Sequence, residues 1–263
     1  MDQECQVGTT IRKGNASHHP GSGITSDPWP EQAAADPRLD ESTVERVGGV
    51  VLVGVLHDHP ASVYRARTVA EAVAPDVLAL ELPPLAVPLA TYHAADERSP
   101  PALGGEMSAA VQAADTDRVV GIDGPSVGFL RYLVAELCAE RATPATVRRT
   151  GAGLRSVTSR ALTRRLTAAV AALTAVQVAV DPPTTYDTGR ADDPETQAAE
   201  ERRRVATARS MLRAFAPPPA AAVRRAARER YMADRLAGLP GDVVAVVGLA
   251  HLSAVAGHLR DAA

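Results

Sequence analysis

Four short apolar runs limit what this chain can fold into. They are Gly48-Gly-Val-Val-Leu-Val-Gly54, Asp76-Val-Leu-Ala-Leu-Glu81, Arg118-Val-Val-Gly-Ile-Asp123 and Asp242-Val-Val-Ala-Val-Val-Gly248. Each is too short for a typical helix and apolar at consecutive rather than alternate positions. That pattern belongs to strands covered on both faces, as in a parallel sheet. Between the first two, Ala61–Ala74 has the periodicity of an amphipathic helix, with Ser62 as a plausible cap and Pro75 as its stop. Strand, helix and strand of these lengths make a βαβ unit with a right-handed crossover.

The rest of the chain extends this plan. A helix is predicted over Gly104–Ala114, and helical signal runs from Val127 to Val180 with Gly151 and Gly153 marking a break. Asp181–Pro194 reads as a loop from its Pro, Asp and Thr content. Glu195–Phe215 and Ala220–Ala237 read as charged helices separated by Pro217-Pro-Pro219, and Leu252–Arg260 as a closing helix. The expected architecture is α/β: a mainly parallel sheet with flanking helices and a long helical insertion, residues 126–240, before the last strand. Residues 1–45, rich in Gly, Ser, Pro, Asp and Gln, read as a disordered tail, and 46–263 as one domain.

Composition excludes some functions. At 263 residues and 46% hydrophobic, the chain can bury a substantial core. Aromatics are 3%, so that core is Val, Leu and Ala. The net charge of −3 gives no electrostatic case for nucleic acid or an anionic membrane. Cys5 and Cys138 make no disulfide framework, the amino terminus lacks a secretory h-region, and no stretch is long and apolar enough to span a bilayer. The expectation is a soluble, cytoplasmic protein with no membrane segment; a homo-oligomer is left open.

A parallel sheet places the carboxyl ends of its strands on one edge, where open α/β sheets bind their ligands. His57, Glu81, Asp123 and His251 each follow or end one of the four runs. Residues far apart in sequence therefore converge. Gly54 and Gly248 let the chain turn tightly and approach a ligand closely, and VVLVGVLH and VVAVVGLAH read as a local internal repeat. Two imidazoles with carboxylates are a usual ligand set for catalytic Zn, Mn or Co, in which a bound water is acidified and a carbonyl polarised. Glu106, at the first turn of the Gly104–Ala114 helix, is a candidate general base. Each residue also has a plainer reading. A histidine after a strand can be structural, Glu81 can pair with an Arg, Asp123 can cap a turn, and Glu106 can complement the helix dipole. His59 reads as a surface loop residue, or as an alternative or additional ligand within reach, while His93, in a Pro-flanked loop, and His258 have no placement at the edge. Arg224, Arg225, Arg228 and Arg230 read as a solvated face, or one of them as pointing into the site to bind a carboxylate.

At these residues the chain resembles the TraB/PrgY family, related to GumN and to the Tiki proteases. The matching blocks are VLVGVLHDHPASV…PDVLALEL (51–82), GGEMSAAVQAA…VVGIDGPS (104–126) and ERYMADRLAGLPGDVVAVVGLAHLSAVAGHL (229–259). The resemblance implies a fold shared with erythromycin-esterase-like and haem-uptake-like proteins, and a divalent-metal-dependent peptidase. Carried over, His57, His251 and Glu81 become metal ligands, Glu81, Glu106 and Asp123 catalytic carboxylates, and Arg131 and Arg230 substrate-binding arginines. The chain departs from the family where Gly124 follows Asp123 instead of Arg and where Pro83-Pro84 follows Glu81; the carboxy-terminal membrane segment of many members is not seen through Ala263. PrgY-type members reduce peptide-pheromone activity.

The leading expectation is thus a metal-assisted hydrolase acting on a small peptide or other amide or ester. The alternatives are a non-catalytic protein that captures a peptide or signal, and a scaffold using the Arg202–Arg204 region.

Overall fold

The computed structural model describes residues 36–174, 184–215 and 217–262. Its sheet has five strands: β1 (Val44–Val47), β2 (Val50–Val55), β3 (Val77–Leu80), β4 (Val119–Gly121) and β5 (Val243–Gly248). Their order is β1-β2-β5-β3-β4, with β1 antiparallel to β2 and the rest parallel. The last strand in sequence lies at the centre, so the turns after β2, β5 and β3 adjoin.

Every residue of β2 and β3 is buried, because alternate residues face two separate cores. On one side Leu52, Ala79, Ala245 and Val247 pack against α7 (Pro219–Ala237) and α8 (Leu252–Ala262), through Met232, Leu236, Val255 and Leu259. On the other side Val51, Val53, Leu78, Leu80 and Val246 pack against α1 (Pro60–Val73), α2 (Val87–Ala94) and α3 (Gly105–Ala113). The α/β plan with a mainly parallel sheet is as expected. α4 (Val127–Ala139), α5 (Pro144–Thr174), α6 (Pro194–Ala214) and α7 make up the helical insertion. Among the described residues no helix is long and apolar enough to cross a membrane.

Several details differ from the sequence reading. The tail expected to reach residue 45 carries, from Pro37, a 3-10 turn and then the edge strand β1; Cys5 lies outside the described residues. Gly151 and Gly153 do not break a helix: α5 runs straight through them. A Cβ on Gly153 would meet the mobile end of the Arg224 side chain, which lies across this stretch of α5 from α7. The break falls earlier, where Arg141 adopts a positive φ of 46° ahead of Pro144. His93 lies in helix α2 rather than a loop, and is buried. His59 is fully buried and caps α1, accepting from the Ala61 amide, because Pro60 starts that helix earlier than expected. Ser62 instead accepts from the Leu56 amide at 2.7 Å and donates to Glu201.

Candidate functional site

The first half of the site is built by two glycines. Gly104 and Gly105 have φ of 87° and 53°, the left-handed region that a residue with a Cβ adopts at a cost. A Cβ on Gly105 would strike the Asp58 carboxylate, and one on Gly104 would strike Ser108. Their absence lets the start of α3 close onto the turn after β2. Glu106, in the first helical turn, thereby reaches that turn with both oxygens. One lies 2.6 Å from His57 Nδ1 and the other accepts from the Asp58 amide at 2.9 Å.

Glu106 is buried while the His57 side chain is 66% exposed. The carboxylate fixes Nδ1 as a donor and leaves Nε2 facing solvent. Hydrogen bonding to Glu106 outweighs the partial loss of hydration at the ring and raises the His57 pKa from 6.5 to about 9. Behind this turn the Tyr186 hydroxyl donates to the His57 carbonyl, and burial pushes the Tyr186 phenol up to about 12.

The second half is organised by Arg228 of α7. Its Nε donates to Asp123 Oδ1 at 2.9 Å, and its Nη2 to Asp123 Oδ2 at 2.8 Å and Glu81 Oε1 at 2.6 Å. Glu81 and Asp123 sit just past the ends of β3 and β4 and are buried. Glu81 Oε2 accepts from the Gly248 amide at 2.6 Å, and the Gly124 amide binds Asp123 Oδ1 at 2.7 Å. His251 Nδ1 lies 2.8 Å from Glu229 Oε1, which also accepts from Arg225 Nε, while His251 Nε2 lies 3.3 Å from Arg228 Nη1. Burial opposes the Arg228 charge, and the two carboxylates more than offset it, so its pKa is raised.

His57, Glu81, Glu106, Asp123 and Arg228 all line one cleft of about 660 Å³. His251 and Glu229 stand behind Arg228 and do not line it. Its walls include Leu89, Met107, Val157 and Ala161, and Arg160, Arg164 and Arg190 also face into it. The structure thus gathers four of the sequence candidates in one space and His251 beside it. Gly248 is at the site through its amide. Gly54 is not: a Cβ there would collide with Leu249 and Leu252, so this glycine serves packing of the β5–α8 turn. Arg131 is exposed on α4, and Arg230 pairs with Glu136 at 2.7 Å; neither lines the cleft. Arg228 is the member of the arginine group that points inward. Its signal was the i,i+4 alternation of α7, in which Arg228 lies beside the buried Ala227, Tyr231 and Met232.

The divalent ion implied at His57, His251 and Glu81 does not fit this donor set. Both Glu81 oxygens, both Asp123 oxygens and both His251 nitrogens already have protein partners, and a permanent cation lies between the two carboxylates. A metal there would share the space with a guanidinium charge. Among the described residues no group of three or more His, Cys, Asp or Glu side chains is gathered closely enough to hold a metal ion. Comparison with models of known families, with curated proteins and with solved structures finds no match.

Proposed function

We propose that the chain is a hydrolase of short peptides, or of other amides or esters, that works in this cleft by general acid–base catalysis. The observation that carries the reading is the His57–Glu106 pair. A solvent-facing imidazole whose far nitrogen is held by a buried carboxylate is an arrangement that moves protons. Neutral His57 takes a proton from water through Nε2, and the water oxygen bonds to the substrate carbonyl carbon. As the carbon–nitrogen or carbon–oxygen bond breaks, the proton passes from His57 to the leaving amine or alcohol. Arg228, held by Glu81 and Asp123, fixes the ends of β3 and β4 in the same cleft and so orders the floor beside His57. The order of the GxxH, GGEM and second GxxH blocks supports a TraB/PrgY-like hydrolase with an erythromycin-esterase-like or haem-uptake-like fold. A cytoplasmic location rests on the cysteine usage.

The test is digestion of a random peptide library followed by mass spectrometry, with wild type, His57→Ala and Glu106→Gln. Cleavage by wild type that falls at least a hundredfold in His57→Ala is expected. It should survive a strong chelator. Activity lost to the chelator and restored by Mn, Co or Zn would return the reading to a metal enzyme.

A second reading, capture of a peptide or signal without cleavage, is favoured by the exposed Arg160 and Arg190 at the cleft. It expects binding that is unchanged in His57→Ala and no cleavage by wild type.

A further inference from the structure

Helix α5 carries its charge differently from its neighbours. In α6 and α7 arginines are matched by acids: Arg202 pairs with Glu195, Arg204 with Glu200, Arg225 with Glu229, and Arg230 with Glu136 of α4. In its 31 residues α5 holds six arginines and no Asp or Glu. Arg148, Arg149, Arg155, Arg160 and Arg165 are exposed, and none of these five has an ion-pair partner among the described residues. The net charge of −3 for the whole chain conceals this concentration of positive charge. Thr146, Thr150, Ala161, Ala168 and Ala171 are buried on the side of α5 that packs on α2 and α7. Arg148, Arg155, Leu162 and Leu166 follow one another at helical spacing on the opposite side, flanked by Arg149 and Arg165. Leu162, Leu166 and Val170 are 51%, 59% and 54% exposed there. At 1.5 Å per residue this outer face is about 46 Å long.

We propose that α5 docks the chain on a bilayer that contains anionic phospholipids. Leu162, Leu166 and Val170 enter the headgroup region, and Arg148, Arg149, Arg155 and Arg165 meet the phosphates. An exposed apolar stripe bordered by cations is the pattern of a helix that lies in the plane of a membrane surface. The planar fork of arginine matches a phosphate with paired hydrogen bonds. A second copy is disfavoured as the occupant, because it would bring two rows of arginines together. A nucleic acid would leave the leucines in water. The buried side of α5 contributes Ala161 to the cleft, so docking sets the cleft one helix away from the lipid. The proposal stands apart from the hydrolytic reading, since it requires no bond to be cleaved.

The experiment is sedimentation of the full chain with vesicles of phosphatidylcholine alone and of phosphatidylcholine mixed equally with phosphatidylglycerol. Wild type is expected to partition at least about tenfold more strongly onto the anionic vesicles. That binding is lost in about 1 M salt, where the Debye length is about 3 Å. Arg148→Gln/Arg155→Gln weakens it by about fivefold for each arginine removed, and Leu162→Gln/Leu166→Gln by about tenfold. All four positions are exposed and glutamine is a good helix former, so far-ultraviolet circular dichroism should show α5 intact. No partition onto the anionic vesicles overturns the proposal, as does equal partition onto both kinds. So does binding that neither double variant weakens, since another part of the chain then holds the lipid. Binding that needs the arginines but not the leucines overturns it too. In that case α5 is a contact for polyanions in general, and the chain should retain duplex DNA at the same salt.

Discussion

Arg228 Nη2 lies 2.6 Å from Glu81 and 2.8 Å from Asp123, so one side chain of α7 ties together the ends of β3 and β4. The two carboxylates are buried and Arg228 is one-third exposed. Removing the cation leaves two like charges together with little water to solvate them. Arg228→Ala should therefore cost about 3 kcal/mol of stability, the low end for breaking a buried ion pair because the guanidinium is partly wet. Urea unfolding at pH 7 measures it. Adding Glu81→Gln and Asp123→Asn should recover much of the loss, since the uncompensated charges are then gone. A loss below about 1 kcal/mol would mean that the triad is solvated in solution.

The His57–Glu106 contact makes a prediction about pH. A base works only when unprotonated, and Glu106 raises the His57 pKa to about 9. The rate should rise with pH and level off above about 9. Glu106→Gln removes the charge that favours the imidazolium, so the rising limb should shift down towards the ordinary 6.5 while the plateau falls, since the ring is less firmly held. A purely structural Glu106 would lower the rate without moving the limb. In stability the sign is opposite: the contact stabilises fully below about 6.5 and is lost as pH rises through about 9. With the ring 66% exposed, that contribution is no more than about 1 kcal/mol.

The strand ends were legible in the sequence for a physical reason. A strand buried on both faces must be apolar at every position, so the first polar residue after it marks the sheet edge. His57, Glu81 and Asp123 were found that way. The edge strand β1, Val44-Glu-Arg-Val47, is only partly buried and carries two charges, so nothing set it apart from the tail before it. Helix α2 was hidden because Pro88 lies in its first turn, a position that suits proline but reads locally as a loop. The choice of Arg228 over its neighbours, and its occupation of the place assigned to a metal, depends on how α7 is rotated against the sheet. The apolar positions of α7 mark the helix face beside which Arg228 lies, but not which strand ends that face meets.

Beyond the cleft, α6 is held to α1 by charges rather than by an apolar face. Arg65 and Glu201 form a buried pair, with Arg65 Nη1 also donating to the Gly54 carbonyl at 2.7 Å. Glu200, the preceding residue of α6, ties that helix to the loop before it. Burial raises its pKa, but hydrogen bonds from Thr188, the Asp187 amide and Arg204 bring it down to about 2. A depressed carboxyl stabilises above its unfolded value of 4.5, and that stability is lost as pH falls towards 2. Hydrogen exchange should therefore show α6 losing protection between about pH 4.5 and 2, before the sheet does. Glu200→Gln should be less protected at pH 7 and show little further loss on acidification. Exchange that rises evenly over α6 and β5 would mean that they unfold as one unit.

Two glycine substitutions of opposite sign test how the site is assembled. Gly105→Ala forces a left-handed φ on alanine, about 1–2 kcal/mol, and drives a Cβ into the Asp58 carboxylate. Relief of the collision by a shift of the turn after β2 away from α3 lengthens the His57–Glu106 contact, whereas rotation of the Asp58 side chain alone leaves it in place. The rate should fall together with stability, and the rising pH limb should shift down as in Glu106→Gln. Gly151→Ala lies within α5, where an added Cβ meets nothing within 4 Å. It should raise stability by about 0.5–1 kcal/mol, since alanine loses less backbone freedom in a helix. Thermal unfolding and the pH–rate profile, measured on both, separate the two roles. If Gly105→Ala lowered stability but left the limb where it was, the close approach of α3 would matter to folding and not to the ionisation of His57.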